Sequence, residues 1–283
     1  MKINLFDLHS DLPTSNCLSG EKIKIARSMH EEGFFAINAV YKGDRALEEA
    51  LLIAKEFVGA GVRVAFEDAC YKDFLIDGDV VSNQRLQELS SKLSSFNPLY
   101  ISLGWNYDNL FVGGCAQKGS LTAYGSAFIE DLNSMGIAVD LAHCNKQSFY
   151  HIIYNARKVL CSHTAFEWIY PHRRNLDEEQ VRAILNKGGI IGLIAVGHFL
   201  SGLKDEKGRE NAFYHQLEGY VKKFGVNGLA IGSDFYGSDA PVFLDGDYSF
   251  ISRLQKSLEG MGINSFGIER VLYKNAIDFF AIN

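Results

Sequence analysis

The sequence lacks the features that mark membrane and secreted proteins. No stretch approaches the roughly 18 consecutive apolar residues of a transmembrane helix. A signal peptide would carry an apolar stretch of roughly 7–15 residues near the N-terminus, but here Met1 to Phe6 is followed at once by the polar, charged segment 7–11. We therefore expect a cytoplasmic protein with no membrane partner.

Cysteine and positive charge are also sparse. The five cysteines are odd in number and show no CxxC spacing, so we expect reduced and mostly buried thiols rather than a disulfide framework. They are Cys17, Cys70, Cys115, Cys144 and Cys161. The net charge is −6 and Lys and Arg form no run, which argues against a nucleic-acid partner.

The composition and length fit one globular domain. Of the 283 residues, 47% are apolar and 22% are charged, and only four are prolines. Single α/β barrels commonly have about 250 residues, and neither a linker nor an internal repeat interrupts this chain. We predict one domain over residues 1–283.

Short aliphatic runs alternate with helical patterns along the whole chain. The runs are typical of buried parallel strands, and the stretches between them carry the apolar stripe of a helix. The predicted strands are Ile3–Leu8, Phe35–Val40, Val62–Phe66, Leu99–Leu103, Ile137–Leu141, Val159–Cys161, Ile190–Val196 and Leu229–Ile231. The predicted helices are Ala46–Val58, Arg85–Leu93, Tyr124–Met135, Lys146–Asn155, Asp177–Leu185, Asn211–Phe224, Ser249–Leu258 and Ile268–Phe280. A closed barrel and an open doubly wound sheet both satisfy this alternation.

Five of the predicted strands are followed, within three residues, by residues that can bind a metal ion. These residues are His9 with Asp11, Glu67, His143, His163 and Asp234. In a parallel barrel all strand carboxyl ends open on one face, where the active site lies. Imidazole nitrogens together with carboxylate oxygens form zinc sites that leave a position for water, and a carboxylate such as Glu67 can bridge two ions about 3.5–4 Å apart.

The remaining histidines do not share this pattern. His30, His151 and His215 fall in helical or loop stretches, and His172 and His198 stand nearer the expected rim, so we assign all five structural or surface roles. The segment 173–175, Arg-Arg-Asn, follows His163 on the next connection. It either starts a solvated helix or supplies a guanidinium that binds a substrate carboxylate.

Several motifs together resemble the membrane (renal) dipeptidase family of zinc metallopeptidases. Residues 7–13, Asp-Leu-His-Ser-Asp-Leu-Pro, are similar to the family's opening segment. Residues 121–143 are similar to its Leu-Thr-x-x-Gly, Leu-Asn-x-x-Gly and Asp-Leu-Ala/Ser-His series. Residues 162–163 with 173–175 resemble its Ser-His and Arg-Arg-Asn, and residues 232–237 resemble its Gly-x-Asp-Phe-Asp-Gly.

The resemblance implies a fold and a role for each matched residue. It implies a (β/α)8 TIM barrel of the metal-dependent hydrolase type, often a homodimer, that hydrolyses dipeptides through a metal-bound hydroxide, in some members with a D-residue at the C-terminal position. His9 and Asp11 would hold one Zn²⁺ and His143 and His163 a second, with Glu67 bridging this binuclear pair. Asp234 would transfer the proton of the attacking water, and Arg174 would bind the substrate carboxylate.

The sequence departs from the family pattern at three positions. Trp105 stands where the family's Leu-Thr-His-Asn segment has a histidine that contacts the scissile carbonyl, and an indole N–H can donate a hydrogen bond but carries no charge. Glu67 is followed by Asp68 rather than glycine, and Tyr236 replaces an aspartate. Two alternatives therefore stay open. One is another barrel metallohydrolase (a lactonase, deaminase or phosphoesterase), and the other is a metal-binding homologue with weak or lost catalysis.

Overall fold

The computed structural model describes residues 5–15, 19–43 and 45–282. Eight parallel strands form a closed barrel in the order β1-β8-β7-β6-β5-β4-β3-β2, which confirms the (β/α)8 fold class and excludes the open sheet. The barrel strands are β1 (Leu5–Ser10), β2 (Phe34–Tyr41), β3 (Val64–Glu67), β4 (Tyr100–Ser102), β5 (Ala138–Asp140), β6 (Val159–Thr164), β7 (Ile190–Leu193) and β8 (Leu229–Ile231).

Each barrel strand coincides with a predicted apolar run, because parallel strands buried on both faces require such runs. Most of their residues are buried, including all of β1, β3 and β6. The boundaries differ where they matter for the site. Strand β1 continues to Ser10 and β6 to Thr164, so His9 and His163 lie inside the ends of strands rather than after them.

The helices follow the strands, and several features were not predicted. These are a first helix, Ser19–Glu32, in which few residues are apolar; two four-residue helices, Lys72–Leu75 and Gly197–Leu200; a π-helical segment, Arg270–Lys274, within the last predicted helix; and a small antiparallel hairpin that joins Ile76–Asp77 to Val80–Val81. The helices are α1 (Ser19–Glu32), α2 (Leu47–Gly59), α3 (Lys72–Leu75), α4 (Asn83–Ser94), α5 (Ala123–Met135), α6 (Lys146–Asn155), α7 (Glu178–Asn186), α8 (Gly197–Leu200), α9 (Glu206–Phe224), α10 (Ile251–Gly260), α11 (Ser265–Glu269) and α12 (Asn275–Phe280).

Side-chain caps set several of these helix starts. Ser82, Thr122 and Asn145 each accept a hydrogen bond from the backbone N–H three residues later. Asp177 and Gln180 form a reciprocal capping box at the start of α7, so backbone donors that a helix end leaves unpaired are satisfied. Among the described helices, none combines the length and the apolar character needed to cross a bilayer.

The chain divides into two compact units. The first comprises Met1–Ala36 and Cys161–Asn283, and the second comprises Ile37–Leu160. The single domain over residues 1–283 stays a prediction. No disulfide joins Cys70, Cys115, Cys144 and Cys161 to one another, and Cys17 lies outside the described residues. The reduced state of the five thiols stays a prediction.

In the first unit two glycines allow close contact between strands. Strand β8 pairs with β7 from Leu229 opposite Ile191 to Ile231 opposite Leu193. A β-carbon at Gly192 or Gly232 would lie within 1.9 Å of the Ser162 carbonyl oxygen. Because that oxygen belongs to the backbone, neither position accepts a side chain. The two glycines therefore allow β7 and β8 to lie close to the backbone of Ser162, which precedes His163.

In the second unit the strands pair in sequence order. Residues Asn38 to Tyr41 of β2 lie opposite Val64 to Glu67 of β3, β3 pairs with β4, and β4 pairs with β5. This register ends β3 at Glu67 and places the residues that follow β4 and β5 at the same, carboxyl side of the unit's strands.

Candidate metal centre

A buried histidine and two carboxylates meet in the first unit. Nε2 of His9 lies 3.5 Å from Oδ1 of Asp11 and 4.0 Å from Oδ1 of Asp234. His9 is fully buried, and the two carboxylate side chains are 15% and 11% exposed. One ligand atom from each residue lies within 4.8 Å of the others. Nitrogen and oxygen donors at this spacing suit a divalent transition metal ion.

The loop after β8 holds the two carboxylates in place. The Asp234 N–H donates to the His9 carbonyl at 3.1 Å, and the Asp11 N–H donates to the Phe235 carbonyl at 2.8 Å. Asp234 and Tyr236 both have left-handed φ angles, +60° and +68°, which are uncommon for residues other than glycine. Strained backbone of this kind concentrates at functional sites.

The loop leaves no room between the two carboxylates and its own main chain. A β-carbon at Gly237 would lie 2.2 Å from Oδ2 of Asp11 and 2.3 Å from Oδ1 of Asp234. Glycine is therefore required at this position for both carboxylates to approach the loop as they do.

The environment favours the protonated form of Asp234. Burial, and then the neighbouring Asp11 carboxylate, raises the pKa of Asp234 to about 7, while His9 and Arg174 act in the opposite direction. A carboxyl group whose pKa lies near neutrality can both accept and return a proton.

His163 and Arg174 lie beside this cluster. The imidazole ring of His163 stacks on that of His9 with a centroid distance of 3.9 Å, and its Nδ1 is 2.8 Å from the Ser162 hydroxyl. The Arg174 guanidinium donates to the His163 carbonyl at 3.3 Å and lies 5.5 Å above the Phe199 ring. Arg174 is 6% exposed, and its buried Nε has no hydrogen-bond partner within the described residues.

The second unit brings Glu67 and His143 together. Nε2 of His143 lies 3.2 Å from Oε1 of Glu67, and both side chains are more than nine-tenths buried. The other ring nitrogen, Nδ1, lies 2.9 Å from Oδ1 of Asn106. His143 also has a left-handed φ of +65°, so its backbone conformation contributes to the orientation of the imidazole ring.

Trp105 lies next to His143 in an aromatic group. Its ring centroid is 5.7 Å from that of His143, 5.3 Å from that of Tyr41 and 6.4 Å from that of Tyr107. Trp105 is half-buried and Tyr107 is exposed. The departure from the family pattern therefore stands directly beside a predicted metal ligand.

Each predicted site residue thus lies in one of two clusters. The first unit brings together His9, Asp11, His163, Arg174 and Asp234, and the second brings together Glu67, Trp105 and His143. His30, His151 and His215 are exposed, as expected for surface residues. His198 pairs with Asp239 at 3.2 Å in an exposed position.

Three residues that contact the site residues were given no role in the sequence analysis. Asn106 contacts His143, and Ser162 contacts His163. Asp7 is fully buried and accepts hydrogen bonds from the Ser233 hydroxyl at 2.5 Å, the Tyr248 hydroxyl at 2.8 Å and the His9 backbone N–H at 3.2 Å. Burial raises the pKa of Asp7, and its hydrogen bonds oppose that shift. Asn106 directly follows Trp105 and Ser162 directly precedes His163. Both lie in segments that resemble family motifs, and that resemblance was the signal available for them.

The sequence of this chain matches a known family. The model of the family described as membrane dipeptidase (peptidase family M19) matches residues 83–281, which include His143, His163, Arg174 and Asp234. His9, Asp11 and Glu67 precede the matched region.

Individual relatives agree with that match. The chain is 29% identical over 182 residues to a protein of Klebsiella pneumoniae named for the pqqA 5′ region, covering 60% of this chain and 67% of that protein. It is 26% identical over 202 residues to the dipeptidase tcpJ of Claviceps purpurea, covering 68% of this chain. The chain spans about half the length of that dipeptidase, 47%.

Solved structures share the fold. A dipeptidase of family M19 superposes with a TM-score of 0.79 at 17% identity, covering 99% of this chain and 98% of that one. A metallopeptidase from Rhodobacter sphaeroides, liganded with a phosphinate mimic of the dipeptide L-Ala-D-Ala, superposes with a TM-score of 0.76 at 18% identity, covering 99% of each chain. The family match over most of the chain establishes that this protein belongs to the membrane dipeptidase family of metallopeptidases, peptidase family M19.

Proposed function

We propose that this protein is a zinc-dependent dipeptidase that hydrolyses the peptide bond of small dipeptides. The observation that carries the proposal is the buried cluster of His9, Asp11 and Asp234 in a chain of a metallopeptidase family. Buried carboxylates and imidazoles so close together are costly unless a cation or a proton lies among them. The donor set therefore fits a metal ion.

The proposed centre is binuclear and uses both clusters. His9 and Asp11 would hold one Zn²⁺, His143 and His163 the other, and Glu67 would bridge them. Support comes from the closed parallel barrel, in which all strand carboxyl ends share one face, and from the family's motifs. When bound, zinc lowers the pKa of a coordinated water to about 7 and polarises a carbonyl group.

The protein's own residues would orient the substrate and move its protons. Arg174 would bind the dipeptide's C-terminal carboxylate, since the Nε of its buried guanidinium has no hydrogen-bond partner among the residues that the structure describes. Asp234 would take the proton from the attacking water and return it to the leaving amine, as its raised pKa suits. Trp105 would donate its indole N–H to the carbonyl oxygen as negative charge develops there.

The substrate range and cellular setting are parts of the same proposal. A D-residue at the C-terminal position is included because the Rhodobacter sphaeroides relative holds a mimic of L-Ala-D-Ala. We propose that the protein is a homodimer, because the resemblance to the family implies one. We propose a cytoplasmic location because the cysteines are odd in number and show no CxxC spacing, which does not suit a disulfide framework.

One observation favours a second candidate, a metal-binding homologue with weak or lost catalysis. Trp105, beside His143, offers a neutral donor where the family has a histidine. Loss of one donor to a developing oxyanion typically costs about 2.7–4 kcal/mol, so binding of metal without efficient turnover is a coherent alternative.

Elemental analysis run beside a substrate panel separates these candidates. We expect about two zinc ions per chain and hydrolysis of L,L- and L,D-dipeptides, with no hydrolysis of lactones, phosphate esters or deaminase substrates. The variant His143→Ala should lose activity and remain folded, whereas His215→Ala, at an exposed helix position, should match the wild type. Two metals per chain without hydrolysis of any dipeptide would favour the second candidate. Turnover of a lactone or a phosphate ester instead would point to another metallohydrolase.

A further inference from the structure

A short segment after β4 is fixed directly against His143. The Cys115 N–H donates to the His143 carbonyl at 2.8 Å, and the Ala116 N–H donates to the Asn106 carbonyl at 2.8 Å. A β-carbon at Gly114 would lie 2.3 Å from the carbonyl carbon of Asn106, so the two backbone segments touch. The main chains of His143 and Asn106 are thus attached to the same short stretch of backbone.

The connection that carries Asn106 is also fixed internally. The Asp108 carboxylate accepts hydrogen bonds from the Gly114 N–H at 3.1 Å and the Gly119 N–H at 3.0 Å. The Asn109 amide oxygen accepts from the N–H groups of Phe111 and Val112, at 2.8 and 2.9 Å. Because side chains of this loop accept hydrogen bonds from backbone N–H groups on its far side, the loop holds the Asn106 side chain at a fixed point beside the imidazole.

The hydrogen bond at that point decides where the imidazole carries its proton. Nδ1 of His143 lies 2.9 Å from Oδ1 of Asn106, and an amide oxygen can only accept. The Cys115 thiol also contacts this oxygen, at 3.2 Å. This contact is a hydrogen bond only when Nδ1 holds the hydrogen, which in a neutral ring leaves the lone pair on Nε2.

We propose that Asn106 is a positioning residue that holds His143 in the Nδ1–H tautomer, so that Nε2 is the atom available to a metal ion. Nε2 lies 3.2 Å from Oε1 of Glu67, and a lone pair facing a carboxylate oxygen at that distance is suited to share a cation. Ligating histidines are commonly oriented in this way through their second ring nitrogen. The role of Asn106 rests on the proposed function only for the presence of the cation, because the tautomer can be measured in the metal-free protein.

The first test is the ¹⁵N spectrum of the histidine rings in metal-free protein, at a pH about two units above the ordinary histidine pKa of 6.5. The ring of His143 is assigned by its absence in the variant His143→Gln. We expect a protonated Nδ1 and an unprotonated Nε2 in the wild type and in Asn106→Asp, which keeps an acceptor. Asn106→Leu, of similar size but without an acceptor, should show the Nε2–H tautomer or a mixture.

Cys115→Ala is the matched control, because it removes the other contact to the same amide oxygen and leaves the acceptor of Nδ1 in place. It should keep the wild-type tautomer. A wild-type ring protonated on Nε2, or Cys115→Ala and Asn106→Leu changing the tautomer alike, would overturn the proposal. If Asn106→Leu does not fold, the wild-type spectrum and that of the shorter Asn106→Ser, whose hydroxyl does not reach the ring, decide the question.

The second test is titration with Zn²⁺ and Co²⁺. Loss of a residue that orients a ligand typically weakens metal binding 10–100-fold, so Asn106→Leu should lose about that factor at one of two sites and Asn106→Asp should recover it. Unchanged affinity in Asn106→Leu would contradict the positioning role. Should the wild type bind no metal and cleave no dipeptide, the proposed function fails, while the tautomer measurement still stands or falls separately.

Discussion

The imidazole rings of His9 and His163 stack with their centroids 3.9 Å apart and their planes 27° apart. Both residues are buried, at the carboxyl ends of β1 and β6. Two protonated rings would repel each other at this distance, so the stacking favours a neutral ring with a nitrogen lone pair for a metal ion.

Replacing His163 should therefore remove one metal ion. We expect His163→Gln to lower the zinc content from two to one per chain and to reduce kcat/KM by more than about 100-fold, beyond the loss seen for residues that only orient ligands. His215→Gln, at an exposed position of α9, is the control. Full zinc content in the purified His163→Gln variant, measured by elemental analysis, would remove His163 from the ligand set.

Adding a single methyl group at Gly237 should disable the site. The β-carbon of Gly237→Ala would meet carboxylate oxygens of Asp11 and Asp234 at 2.2 and 2.3 Å, so one or both must move. We expect metal affinity to fall at least about tenfold, as measured by zinc titration. Gly260→Ala, where nothing lies within 4 Å of the added atom, should bind metal like the wild type; equal affinity in both variants would mean that the loop adapts.

Arg174 should discriminate between dipeptides and dipeptide amides. Removing one partner of a buried charge pair costs about 2–5 kcal/mol, so Arg174→Ala should lose at least about 30-fold in kcat/KM for a dipeptide. The neighbouring Arg173 is exposed, and Arg173→Ala should leave kcat/KM for the dipeptide nearly unchanged. A C-terminally amidated substrate should be affected much less by Arg174→Ala, and an equal loss on both substrates would exclude a role in carboxylate binding.

Trp105 should limit the rate of hydrolysis. A histidine at this position can carry positive charge towards the carbonyl oxygen, so Trp105→His should raise kcat by up to about 10²-fold without changing the zinc content. Trp105→Phe keeps the aromatic contacts with Tyr41 and His143 but removes the N–H, and should lower kcat. If kcat is the same in all three proteins, the indole does not contact the reacting carbonyl group.

The buried Asp7 should contribute to stability as well as to the site. Asp7→Ala leaves the Tyr248 hydroxyl and the Ser233 backbone N–H without the acceptor that Asp7 provides, and each buried unsatisfied group costs about 1–3 kcal/mol. We expect the free energy of unfolding in urea to fall by more than about 2 kcal/mol. Tyr248→Phe, which removes one donor and leaves the carboxylate, should cost less; a larger loss in Tyr248→Phe would assign the effect to packing of the ring.

Much of this fold could be predicted from local patterns in the sequence. All eight barrel strands fall on predicted apolar runs, because strands buried on both faces need aliphatic residues at every position. Eight predicted helices were found with shifts at their ends. The helix α1 was missed because tertiary packing of a few residues, among them Ala26 and Met29, outweighs its weak apolar stripe.

For the predicted metal ligands too, the sequence indicated some features and the folded structure was needed for others. The residue types and their place at strand ends were readable, since parallel strands direct their carboxyl ends to one side. That Asp11 and Asp234, more than 220 positions apart, both approach Gly237 follows only from the folded loop after β8. Residues 232–237 resemble a family motif, but that resemblance does not indicate a contact between Gly237 and Asp11.

The amino-acid sequence by itself determines where the buried strands run. It also determines which strand ends carry imidazole or carboxylate groups. The tertiary structure alone decides the finer matters, such as which nitrogen of His143 faces Glu67 and which buried donors surround Asp7. The physical reason is that these depend on distances between atoms far apart in the chain, and a hydrogen bond is made or lost within a few tenths of an ångström.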